Sequence, residues 1–316
     1  MAESISLLAI PLALTSNLIV SLGYILQKKA TQSFPKIETK SFKENLKTFL
    51  TSRLWLIGLF LTILSFPTTI TAYSFGNIAL VNGIGGVSIV FLTIFSKWIL
   101  KEKIRKGEYI GLSLVIIGVS ATGYFSSTTV TQETFLEFWY NVTKLGALIF
   151  FITLIVLAQT PLIFLRLTNE QLKAILFALS AGIYMAVDII SMKGLSIPLF
   201  QWDQQYLLDP RVLFIGAIVI LFPNIATIML QFAYQKHKAI VVVPLYNNIV
   251  LIIPIIFGAL FLEEWSSINL THAILLSFSI ITTIIGTIIL SVSKGEKEIE
   301  CNLIKKDLNI EVQVEE

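Results

Sequence analysis

The chain is predicted to be an all-α polytopic membrane protein, on three observations. Nine apolar stretches of about 20 residues follow one another with short polar connections, and each is long enough to cross ~30 Å of hydrocarbon at ~1.5 Å per helical residue. Of the 316 residues, 55% are hydrophobic and 14% charged, and mean hydropathy is +0.82. A water-soluble core does not absorb that much apolar surface. Lysine and arginine are concentrated in alternate connections, the mark of segments retained in the cytoplasm.

In chain order the spans run roughly 5–26, 54–75, 77–99, 108–125, 142–165, 174–195, 212–235, 239–262 and 271–292. Only Glu3 precedes the first as a charge, and it runs into Lys28-Lys29 without a small-residue cleavage site, so it reads as a retained helix and not a secretory signal. The stretch 34–53 alternates Lys with Phe, Ile and Leu. It is either a helix lying on anionic headgroups or a solvated loop. Twenty of the 23 Lys and Arg fall on one side, leaving Lys144, Lys193 and Arg211 on the other. That bias places the N-terminus outside and the C-terminus in the cytoplasm of an integral protein of the plasma membrane.

Residues 1–292 therefore read as one transmembrane domain, followed by a charged cytoplasmic tail, 293–316. The single cysteine, Cys301, lies in that tail, so no intrachain disulfide is expected. The net charge of +3 is a topology signal and implies no nucleic acid. Sequons at Asn141-Val142-Thr143 and Asn269-Leu270-Thr271 fall on the outer side, close to span boundaries.

The chain also repeats itself. A shift of 161 residues puts Ala72-Tyr73 on Ala233-Tyr234 and Glu102 on Glu263, with an apolar helix between them in each copy. The repeats run from about 5 to 125 and from about 174 to 292, joined by the linking helix 142–165. Five spans separate the copies, an odd number, so the second is inverted relative to the first. Inverted repeats are the architecture of secondary transporters, with a substrate site near the midplane.

Specific residues extend this to a family. Trp55 and Gly58 open one helix; the run from Ala72-Tyr73-Ser74-Phe75-Gly76-Asn77 to Asn82-Gly83, then Leu100-Lys101-Glu102-Lys103 and a helix with Gly107, Gly111 and Gly118 follow. This pattern resembles the drug/metabolite transporter superfamily (EamA-like), and within it the NIPA-type magnesium transporters. Lys28-Lys29 closing the first helix, nine spans, and Pro244-Leu245-Tyr246 leading to Leu262-Glu263-Glu264-Trp265 carry the narrower likeness. The resemblance covers 5–292 and implies carriage of magnesium or another divalent cation. One departure concerns the second helix, which reads Leu64-Ser65-Phe66-Pro67-Thr68-Thr69 in place of the family's Gly-Glu pair and so holds no acid.

Polar groups at membrane depth are the candidates for the site. Asp188 is the acid well inside a span, where a charge costs ~2.5–3.5 kcal/mol on insertion scales. It either binds a cation or a coupling proton, as the candidate metal ligand, or is satisfied by Tyr184, Ser191 or Lys193. Asn17, Asn224, Asn247 and Asn248 share its depth on three other helices, as lining of a polar cavity or as interhelical hydrogen bonds worth ~0.6 kcal/mol each. Tyr24, Asn82, Gln231 and Tyr246 are further members. Gly83, Gly85, Gly86 and Pro244 mark where a helix would open, with Pro67 and Pro223 as kinks; close packing explains the glycines as well.

No Gly-rich loop ends in Gly-Lys-Ser/Thr, His237 and His272 stand at span ends without clustered Cys, and no Ser/His/Asp set shares a depth. An enzyme, an ATP-driven pump and a resident cofactor are not expected. The favoured reading is a secondary transporter working by alternating access, with magnesium or another divalent cation as substrate and the lipid bilayer as its setting. The alternatives are an exporter or exchanger of a small polar metabolite or amine, and a non-transporting membrane scaffold; a homodimer is left open.

Overall fold

A computed structural model describes residues 2–31, 50–101, 104, 106–126, 134–163, 170–200, 206, 208–236, 239–266, 268–290 and 292; their regular structure is helical throughout. The basic stretch, apart from its last residues, Glu102, Cys301 and the tail lie outside these residues. Helix α1 is Ala2–Thr31. Ser52 accepts from the Trp55 N–H and starts α2 (Arg53–Phe75), and Asn77 accepts from the Leu80 N–H and starts α3 (Ile78–Gly85). A single tightened turn at Gly86 separates α3 from α4 (Val87–Ile99). Then come α5 (Lys106–Ser126), α6 (Phe135–Thr143), α7 (Leu145–Ala158), α8 (Thr160–Ile163), α9 (Glu170–Phe200), α10 (Pro210–Lys236) and α11 (Ala239–Leu260). Asn269 accepts from the His272 N–H at the start of α12 (Leu270–Leu290).

Among the described residues seven helices are long and apolar enough to cross a membrane, or eight with the bent pair α6–α7. The remaining expected span, 239–262, is α11, whose apolar part, Leu245–Leu260, is shorter. The linking span differs from its expected bounds of 142–165. Thr134 and Glu137 form a capping box that starts α6 at Phe135, and the backbone leaves helical geometry at Lys144, bending the pair by 67°. One backbone conformation recurs at two turns. Lys101 and Glu263 adopt the left-handed conformation, with φ of 58° and 55°, and lie one residue further apart than the ungapped offset.

The interior mixes small and polar side chains with large apolar ones such as Phe135, Phe257 and Leu290, and many other large apolar side chains face outward. Phe60, Ile117, Ile152, Phe214 and Phe278 are exposed, while Ala9, Ala72, Ala178 and Ala233 are buried. Without a hydrophobic gradient between lipid and interior, close backbone approach does the packing. A Cβ on Gly23 would stand 2.7 Å from the Gly58 carbonyl oxygen, and one on Gly118 2.7 Å from the Thr283 nitrogen. Helix α1 packs most heavily on α2, and α9 on α10. Helix α9 is the most buried span and also contacts α2, α7 and α11.

Candidate functional site

A cavity of about 750 Å³ lies between α1, α2, α3–α4, α9, α10 and α11. Its wall holds Asn17 and Tyr24 of α1, Asn82, Gly85 and Gly86 of α3–α4, Pro223 and Asn224 of α10, and Tyr246 and Asn247 of α11. Three of the amides are bonded alike. The Asn17 Nδ2 donates to the Ala13 carbonyl at 2.7 Å, and the Asn224 Nδ2 to the Ile220 carbonyl at 2.6 Å. The Asn82 Nδ2 donates across the bundle to the carbonyls of Val250 and Leu251, at 3.1 and 3.0 Å. Asn82 uses its nitrogen twice and keeps its side-chain oxygen, whereas Asn17 and Asn224 each keep that oxygen and a second N–H.

Hydroxyls add to the wall. Ser16, Ser65 and Thr69 line it, with Ser16 bonded to the Ser65 carbonyl and to the Thr69 hydroxyl. Tyr73, Met185, Ile189 and Met192 line it too. Among the described residues no carboxylate lines the wall, and no group of three or more His, Cys, Asp or Glu comes together. Tyr24 and Asn224 are exposed, marking the open part of the wall, whereas Ile78 and Leu80 are fully buried at the Gly76 end.

Two buried charges close that end. The Lys193 Nζ donates to the carbonyls of Tyr73 and Gly76, at 2.9 and 2.8 Å. Glu264 accepts from the N–H groups of Ile78 and Ala79, at 2.7 and 3.4 Å. Burial pushes the Glu264 carboxyl above the ordinary glutamate value, against the opposing pull of Lys193 and the two N–H donors.

With this geometry in view, the likeness to known proteins is decisive for the family. The family model described as "Magnesium transporter NIPA" matches residues 4–296. The chain belongs to the NIPA magnesium transporter family. A probable magnesium transporter, NIPA6 of Arabidopsis thaliana, is 23% identical over 290 residues, 91% of this chain and 88% of that protein. The human magnesium transporter NIPA3 is 21% identical over 287 residues, covering 90% and 70%. Human NIPA-like protein 2 is 22% identical over 304 residues, covering 96% and 78%. No solved structure matches the chain.

In this NIPA-family chain the expected residues divide into two groups. Asn17, Tyr24, Asn82, Asn224, Asn247, Gly85, Gly86 and Pro223 stand on one cavity wall. Asn248 does not; its Oδ1 accepts from Thr287 at 3.3 Å. Gly83 and Gly86 are packing positions, where a Cβ would meet Thr122 at 2.6 Å and Thr283 at 2.8 Å. The helix runs on through Pro67 and Pro223, and Pro244 lies within α11, so the local break falls at Gly86 alone in these helices.

Asp188 is fully buried behind the wall, and none of its three expected partners satisfies it. Tyr184 takes the Gln159 amide, Ser191 donates to the Val187 carbonyl, and Lys193 is turned toward the end of α2. The Lys193–Glu264 closure and the Ser16–Thr69 contact were not anticipated. Ser16 beside Asn17, and Thr69 one turn before Tyr73, carried the signal for the second.

Proposed function

We propose that this protein is a secondary carrier of divalent cations, magnesium foremost, working by alternating access around the cavity. The observation that carries the reading is the set of three amides, on α1, α3 and α10, whose nitrogens are held by backbone carbonyls. Such a wall offers oxygen acceptors, the ligand type hard cations take. Magnesium parts reluctantly with its waters, and six waters at ~30 Å³ each occupy about 180 Å³. A cavity of about 750 Å³ accommodates the hydrated ion with room to spare. Amides and hydroxyls then bind through that water shell, and the missing acid of the second helix is not required.

The names of the relatives, all magnesium transporters or NIPA-like proteins, support the substrate. The heavy pairing of α1 with α2 and of α9 with α10, and the left-handed turns at Lys101 and Glu263, support two inverted copies rocking about the site. With the N-terminus outside, as the lysine bias argues, the closed Gly76 end faces outward and the protein rests open toward the cytoplasm. A second reading, a small polar organic solute or amine, is favoured by the absence of a carboxylate from the wall.

Reconstituted protein in vesicles loaded with a magnesium-sensitive dye tests the proposal. A saturable signal that empty vesicles lack is expected. Folded protein giving no signal, but exchanging a labelled polar metabolite, would overturn the cation reading.

A further inference from the structure

We infer that Asp188 is a proton site coupled to the cavity: its carboxyl holds a proton while the cavity is empty and releases it when a cation enters. The inference rests on the cation-carrier reading above and adds the coupling ion to it.

Asp188 is 0% exposed, and among the described residues neither carboxylate oxygen has a hydrogen-bond partner. Along α9, Tyr184 accepts from Gln159, and the Lys193 Nζ donates to the carbonyls of Tyr73 and Gly76. A bare carboxylate in such a place costs far more than the neutral acid. The neutral acid is the form that fits.

Its position links it to the solute. Met185, Ile189 and Met192 stand on the cavity wall, and Asp188 lies three residues from Met185 and four from Met192, on one face of α9. It is one layer behind the wall and not part of it. The titratable groups on neighbouring elements are few. Helix α2 contributes Tyr73 and α11 contributes Tyr246, both on the wall. Helices α3, α7 and α8 carry none, α10 carries Arg211, Tyr234 and Lys236 near its ends, and α6 carries Glu137 and Tyr140. Beyond the end of α9 lies Glu264, committed to the Ile78 N–H.

A dication in the cavity favours the ionised carboxyl. The step balances simply: the O–H bond of the acid breaks, the proton passes to cavity water by way of Tyr73, which lines the cavity and interacts electrostatically with Asp188, and the carboxylate remains to offset the bound cation. The empty carrier regains the proton before or after it reorients, so cation and proton move in opposite directions. Nothing is oxidised or reduced.

The test uses full-length protein in vesicles carrying a magnesium dye and a pH dye together, with infrared spectra of the same samples. Magnesium movement accompanied by about one opposing proton, an infrared band of a protonated carboxyl that Asp188→Asn removes and magnesium abolishes, and a pH dependence of uptake lost in Asp188→Asn but kept in Asp188→Glu are expected. Magnesium movement without proton movement overturns the coupling while leaving the carrier reading intact. Identical infrared spectra for wild type and Asp188→Asn overturn the proton site whatever the dyes report. An absent magnesium signal sinks the carrier reading separately, and with it the cation-triggered release.

Discussion

Lys193 and Glu264 hold opposite sides of one chain reversal: the ammonium caps the carbonyls of Tyr73 and Gly76 that end α2, and the carboxyl caps the Ile78 and Ala79 N–H groups that begin α3. Each sign meets the helix end that attracts it. Hydrogen bonds to charged groups contribute about 1.5–3 kcal/mol, so Lys193→Met and Glu264→Leu should each lower unfolding stability in detergent by about 2 kcal/mol. Because either single change leaves the other charge buried, the double variant should cost less than the sum, with a coupling of about 1 kcal/mol or more. Strictly additive losses would show that the two caps act independently.

The same glutamate sets a pH dependence. Its folded-state pKa is raised by burial, so the folded state binds this proton more tightly than the unfolded chain does. Its contribution is then fully present below the ordinary glutamate value and is lost as pH rises through the raised value. Melting temperature should fall across that window in the wild type, and Glu264→Gln should flatten the fall. Asp209 works the other way at the start of α10. Arg211 beside it holds its carboxyl down to about 2, so its small exposed contribution disappears only toward strong acid.

How much of this was legible in the sequence depends on the range of the interaction. Asn17, Asn82 and Asn224 were readable as site residues because an amide inside an apolar run is costly unless it faces a cavity or bonds a neighbouring helix. The helices were readable from the apolar runs themselves, apart from the linking span, whose polar Glu137 and Asn141 disguise its first turns. The closure was not readable. Glu264 and Ile78 are 186 positions apart in the chain, and no local pattern joins them. Asp188 stood out at once, but its lack of a partner depends on where Tyr184, Ser191 and Lys193 turn, which only the packed structure decides.

The glycines of α3 and α5 should separate by their surroundings. At Gly85 the nearest atom to an added Cβ is the Asn82 Oδ1 at 3.9 Å, whereas at Gly118 the Thr283 nitrogen lies at 2.7 Å. Gly85→Ala should leave stability within about 0.5 kcal/mol of wild type. Gly118→Ala must push α5 from α12 and should reduce the yield of monodisperse protein several-fold, as read by size-exclusion chromatography. Equal behaviour of the two would refute this packing.

Orientation can be checked with single cysteines in a Cys301→Ser background. Lys144, which pairs with Glu263 at 3.4 Å, and the exposed Lys97 lie at opposite ends of the bundle. On intact cells an impermeant thiol reagent should label a cysteine replacing Lys144 and spare one replacing Lys97. The reverse pattern would invert the topology.

The central claim is that solute passes through the amide-lined cavity, and concentration-dependent magnesium uptake into vesicles by wild type and by Asn17→Leu/Asn224→Leu tests it most directly. Losing two oxygen acceptors at ~1.4 kcal/mol each predicts an apparent affinity weakened by about a hundredfold, with the amount of folded protein unchanged. Saturable uptake identical in the two proteins would place the path elsewhere and contradict the account.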